Sequence, residues 1–162
     1  MRYVNYEPMK TQPSISKNDL PAPTLDGQLC FALYSAGLAM NKVYRKLLRE
    51  LDITYPQYLV MLTLWENPSM SVSEIGERLY LDSATLTPLL KRLEAAGFVL
   101  RQRSREDERQ VVITLTEQGR KLKSKASDVQ FGVFCATQCA PDELMKLKDD
   151  LQTLRAKLSS EN

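Results

Sequence analysis

The chain has 162 residues, 43% hydrophobic and 26% charged, with a net charge of +2, which is the make-up of one soluble globular domain able to bury a real core. It contains no histidine, which excludes Ser-His and Cys-His catalysis and the usual imidazole metal ligand; no metal or other cofactor is expected. Three cysteines are too few, and odd in number, for a secreted disulfide framework. With no apolar run of ~18 residues and no signal-peptide pattern, they point to a cytoplasmic, bacterial protein without membrane contact.

Residues 1–24 carry Pro8, Pro13, Pro21 and Pro23 among scattered apolar residues, a pattern that predicts a flexible arm. From about Leu25 to Leu51 the residues Leu29, Leu33, Met40, Val43, Leu47 and Leu51 fall on or near one helical stripe. Thr54 and Gln57 form a capping-box pattern with Pro56 in the first turn. The run Tyr58 to Trp65 that follows is apolar nearly all round and should be buried. Asn67-Pro68 ends that helix. Ser71 with Glu74 opens another, ending near Tyr80; Asp82 or Ser83 caps the next, which runs to Ala96 with Gly97 at its C-terminal cap. Two such helices joined by a short turn are a helix-turn-helix unit.

Phe98–Arg103 and Gln110–Leu115 read as two strands around a charged tip, a candidate wing. Thr116 caps a long helix carrying Leu122 and Ala126. Pro141, with Asp142 and Glu143, starts a last helix whose Leu144, Leu147, Leu151, Leu154 and Leu158 have heptad-like spacing. That stripe suits a partner helix or packing within the chain. The fold class is mainly α with a small β-hairpin wing. The expected organisation is an arm over 1–24, a dimerisation and sensor helix over 25–54, a winged helix-turn-helix over 55–116 and dimerisation helices over 117–162.

One helix fits the major groove of B-form DNA, with residues near its start reaching base edges. Here that start carries Ser83, Thr85 and Thr87, with Lys91 and Arg92 further along. From Ser83 to Arg105 five basic residues (Lys91, Arg92, Arg101, Arg103, Arg105) face one acidic residue, Glu94, a local balance of +4. Charge alone leaves DNA binding and a merely solvated face both open. Pro88 counts against a regular helix, but the stripe Leu86, Leu89, Leu90, Leu93 continues through it.

The run from Leu79 to Gly119 resembles the signature of the MarR family of bacterial regulators, with Asp107-x-Arg109 and Leu115-Thr116 matching its wing pattern. The resemblance implies a dimeric winged helix-turn-helix fold and double-stranded operator DNA as partner. It also implies that Arg109 enters the minor groove while Asp107 holds the wing. A narrow minor groove does attract an inserted arginine.

Two further segments, Leu29-Cys30-Phe31-Ala32-Leu33-Tyr34 and Ile53-Thr54-Tyr55-Pro56-Gln57-Tyr58, resemble the organic-hydroperoxide-sensing branch, OhrR, over roughly residues 27–160. Taken alone, Cys30 reads first as a buried structural thiol. The resemblance makes it the redox-sensing residue of a homodimeric repressor that leaves DNA when an organic hydroperoxide oxidises it. A reactive thiol must be a thiolate, and the helix start favours an anion. Tyrosines matching Tyr44 and Tyr55 are implied as hydrogen-bond donors from the partner subunit, with Tyr34 and Phe31 in the pocket. The extra cysteines place the chain with the two-cysteine kind. Cys135 is implied as the resolving thiol in an intersubunit disulfide, and Cys139 could substitute if the helix carrying Cys135 persists. The nearest rival is a MarR-type regulator answering a noncovalent aromatic ligand. A thiol peroxidase and a DNA-bending protein are more distant ones; the expectation is a regulator, not an enzyme.

Overall fold

The computed structural model describes residues 23–104, 107 and 109–160. All but the last two residues of the expected arm over 1–24, and Arg105 of the basic set, lie outside the described residues. The chain divides into two compact units, Met1–Gly37 and Leu38–Asn162. Helix α1 (Leu29–Leu47) runs from one into the other, and a 3-10 turn, Leu48–Leu51, extends it to the expected end at Leu51.

Helix α2 (Tyr55–Glu66) starts where the capping pattern places it. Gln57 Oε1 accepts from the Thr54 backbone N–H at 2.8 Å and from the Thr54 hydroxyl at 2.9 Å. As its apolar run predicts, α2 buries Tyr58, Val60, Met61, Leu64 and Trp65; Leu62 alone of that run is exposed. Then comes strand β1 (Ser69–Ser71), whose last residue also caps α3 (Val72–Leu79). Ser71 Oγ accepts from the Glu74 N–H at 3.2 Å while Glu74 Oε2 accepts from the Ser71 N–H at 2.7 Å. Tyr80 closes α3 in the left-handed region at φ 57. Asp82, not Ser83, caps α4 (Ser83–Ala95), its Oδ1 accepting from the Thr85 N–H at 2.6 Å. Helix α4 passes through Pro88 unbroken and ends at Ala95 with Ala96 as its C-cap; Gly97 follows, at a φ of +76 that suits glycine.

Strands β2 (Val99–Arg103) and β3 (Val111–Leu115) form the hairpin. The sheet is antiparallel in the order β1-β3-β2, with Met70 and Arg101 on either side of Ile113. Strand β1 was not expected: three residues between a proline and a helix cap are too short to show alternation. The core beneath joins Val60, Met61 and Leu64 of α2, Ile75 of α3, Leu86, Leu90 and Leu93 of α4, and Val99 and Ile113 of the sheet. Two helices, a three-residue turn and a wing make this a winged helix-turn-helix.

The long helix expected after Thr116 is interrupted. Helix α5 (Glu117–Leu122), capped by the Thr116 hydroxyl at 3.0 Å from the Gly119 N–H, passes through a 3-10 turn, Lys123–Lys125, into α6 (Ala126–Thr137). Gln138 ends α6 in the left-handed region, and α7 (Pro141–Ser159) follows. Among the described residues no helix is long and apolar enough to cross a membrane.

Candidate DNA-reading head and thiol sites

Helix α4 turns Leu86, Leu90 and Leu93 into the core, four and three residues apart, which leaves the opposite stripe to solvent. Ser83, Thr85, Pro88, Lys91 and Arg92 are exposed; Thr87 is half-buried, its hydroxyl donating to the Ser83 carbonyl at 2.6 Å. Pro88 therefore falls on the exposed outer face. Among the described residues, Lys91, Arg92, Arg103 and Arg109 make no ion pair.

Asp107 organises the wing tip. Its Oδ1 accepts from the Arg109 backbone N–H at 3.0 Å, its Oδ2 from Gln110 Nε2 at 3.3 Å, and its carbonyl from the Gln110 N–H at 2.9 Å. The Arg109 side chain is left exposed. Arg101 differs from the other basic residues. It is half-buried and paired with Glu94 of α4 at 3.4 Å.

In the unit Met1–Gly37, Cys30 sits one residue inside the start of α1 with its thiol exposed, and Tyr34 is exposed beside a half-buried Phe31. In the unit Leu38–Asn162, Tyr44 of α1 and Tyr55 of α2 stack with ring centroids 4.1 Å apart, and Tyr58 lies 5.9 Å from Tyr44. Burial, with the neighbouring Tyr55 and Tyr58 rings second, pushes the Tyr44 phenol up to about 12. Burial also raises Tyr55 and Tyr58. All three phenols keep their protons at neutral pH and remain donors. Tyr58 was read as part of an apolar run and as the last residue of the Ile53–Tyr58 motif, not as a member of the tyrosine cluster; its place three residues after Tyr55, on the same helical face, is the signal that could have joined it.

Cys135 is exposed on α6. Cys139 does not share its helical face, because α6 stops at Thr137 and Gln138 caps it in the left-handed region. Cys139 is half-buried, its thiol donating to the Thr137 carbonyl at 3.3 Å.

The family model for transcriptional regulators of the SarA/Rot type matches residues 42–126. The chain is 52% identical to the HTH-type transcriptional regulator TtmR of Methylorubrum extorquens, over 93% of this chain and 77% of the relative. It is 49% identical to the organic hydroperoxide resistance transcriptional regulator of Bacillus subtilis, over 85% of this chain and 94% of the relative. The chain belongs to the MarR-like family of transcriptional regulators. Like its MarR-like relatives it is a regulator and not an enzyme. Among solved structures, it resembles AbfR of Staphylococcus epidermidis. The reduced, DNA-bound form of AbfR matches with a TM-score of 0.69 at 39% identity, over 83% of this chain and 94% of that one. A disulfide-formed AbfR matches at 0.59 and 41% identity, over 80% and 91%.

Proposed function

We propose that this MarR-like chain is a homodimeric, cytoplasmic bacterial repressor of the OhrR type. It holds inverted-repeat operator DNA when reduced and releases it when an organic hydroperoxide oxidises Cys30. The observation that carries the reading is an exposed thiol at the start of α1 in a chain 49% identical to a hydroperoxide resistance regulator. AbfR, structurally similar, exists in reduced, disulfide and overoxidised forms.

On DNA, Ser83, Thr85 and Thr87 lie at the end of α4 that enters the major groove. Lys91, Arg92 and Arg103 meet phosphates, and Arg109 reaches the minor groove from a tip held by Asp107. Pro88 shapes the outer face of α4. Arg101 contributes through its Glu94 partner rather than as a free cation.

In the redox step the Cys30 thiolate attacks the peroxide, the O–O bond breaks, a sulfenic acid forms on sulfur and the departing alkoxide takes a proton from water to leave as an alcohol. The thiolate of Cys135 from the other subunit then attacks that sulfur, closing an S–S bond and expelling hydroxide, which solvent protonates to water. The protonated phenols of Tyr44 and Tyr55 serve as donors to the thiolate of the opposite subunit, and Phe31 and Tyr34 give it an apolar surround suited to an organic oxidant. Cys135 is preferred to Cys139 because it is the exposed thiol of the two.

The test uses a duplex selected by the reduced wild-type protein from a randomised pool, with cumene hydroperoxide as oxidant. Wild type should release the duplex and give a crosslinked dimer on a non-reducing gel. Cys30→Ser should bind as tightly but neither release nor crosslink, and Cys135→Ser should lose the crosslink. Release of Cys30→Ser by the hydroperoxide would sink the reading.

A second reading, a regulator answering a noncovalent aromatic ligand, draws on one observation. A cleft of about 360 Å³ is lined by Leu38, Asn41 and Arg45 of α1 and by residues 53–56. Among the described residues Arg45 makes no ion pair. In that case an aromatic carboxylate, and not a hydroperoxide, releases both wild type and Cys30→Ser.

A further inference from the structure

Arg101 occupies an inward position of β2. Its register partner Ile113 is fully buried, and Val99, two residues earlier on the same face, is buried against Leu115. The alternation of a strand places an apolar residue there. An arginine at such a position must find partners, and Glu94 near the end of α4 supplies them. The Arg101 backbone N–H donates to Glu94 Oε1 at 3.2 Å and Nη1 donates to Oε2 at 3.4 Å.

Because β2 is an edge strand, an N–H turned away from β3 has no ladder partner, and the Glu94 carboxylate provides it. Among the described residues, Arg101 Nε is buried without a hydrogen-bond partner. An arginine head held inside with one donor unmet is a poor device for stability alone. It is a good device for fixing one point of β2 against α4. Arg103 lies two residues further along the same face, and the Asp107–Arg109 tip lies beyond it.

We propose that Glu94 is a positioning residue for DNA reading. Through Arg101 it sets the angle between the wing and α4, and so the base preference at the flank of each half-site, without touching DNA. The inference rests on the reading of α4 and the wing as the two DNA contacts. Phosphate contacts carry no sequence information, whereas the fit of Arg109 to a narrow groove does.

Affinities are measured for the full-length wild type, Glu94→Gln, Arg101→Gln, their double variant and Arg109→Ala. Three duplexes are used: the selected one, one with a base changed under α4, and one with A·T pairs under the wing replaced by G·C. Glu94→Gln should keep its discrimination under α4 and lose most of its flank discrimination, on the order of tenfold. Arg109→Ala should lose the same flank discrimination, and the double variant should be no worse than either single one.

The proposal is overturned if Glu94→Gln reads the flank like wild type while Arg109→Ala does not. It is also overturned if Arg101→Gln weakens all three duplexes equally and additively with Glu94→Gln, the behaviour of a phosphate contact. Flank discrimination that survives Arg109→Ala overturns the wing reading beneath it. Glu94→Asp, which keeps the charge and shortens the reach, repeats the comparison if Glu94→Gln unfolds, with the same loss expected.

Discussion

Asp82 and Glu74 hold the first turns of the two helices of the reading head by accepting backbone N–H bonds, and each carboxyl is pulled below its ordinary value. The Thr85 N–H is the main cause for Asp82, the Ser71 N–H for Glu74. The folded state thus releases these protons more readily than the unfolded chain. The contribution of both caps is complete above about pH 5. It fades as pH falls through the lowered values, below the ordinary 3.8 and 4.5. Urea midpoints measured down the acid range should fall there. Asp82→Asn, whose amide oxygen still caps, should flatten part of the drop, and an unchanged profile would remove Asp82 from the account. The same scale holds the contrast between Cys135 and Cys139. One left-handed residue, Gln138, separates an exposed thiol from a half-buried one already bonded to a carbonyl.

Among the elements, α5 is short but closely fitted. A Cβ on Gly119 would run into the Phe98 carbonyl oxygen and crowd Leu115, and the Gly119 carbonyl accepts from the Trp65 indole N–H at 2.9 Å. Gly119→Ala should therefore destabilise the protein by roughly 1–3 kcal/mol in urea unfolding, an overpacking cost. A variant as stable as wild type would show that α5 can shift away. Most elements were legible because they announce themselves locally: Thr54 with Gln57, Ser71 with Glu74, Pro141 with Glu143, and the alternation of Val111, Ile113 and Leu115. What escaped depends on pairing across the chain. Strand β1 exists only because β3 receives it, and the break at Lys123–Lys125 has no proline or glycine to mark it. The Glu94–Arg101 pair joins residues whose spacing says nothing until the hairpin folds back. The basic face and the cysteines could be found in the sequence, but not the fact that one arginine of that face is already spoken for.

For the whole molecule, the helices outside the reading head show apolar side chains that a lone chain leaves in water. Phe131 of α6 is 68% exposed, Leu147 and Leu158 of α7 are 53% and 60% exposed, and α7 buries nothing fully. Patches of this kind mark association surfaces, and a two-fold pair is the commonest outcome. Sedimentation should find a dimer. Phe131→Glu with Leu147→Glu should shift it to monomer and weaken binding to a two-half-site duplex far more than to a single half-site. A monomeric wild type would contradict the dimeric reading. Within the head, Ser71 is at once the end of β1 and the cap of α3, and β1 is laced to β3, which runs straight into α5. The sheet thereby closes a loop of force through both sides of the head. Torque delivered along α5 reaches α3 through the ladder as well as through the core, so the head behaves as rigid cargo. Any switch that acts on it has the spacing and tilt of whole heads as its mechanical output.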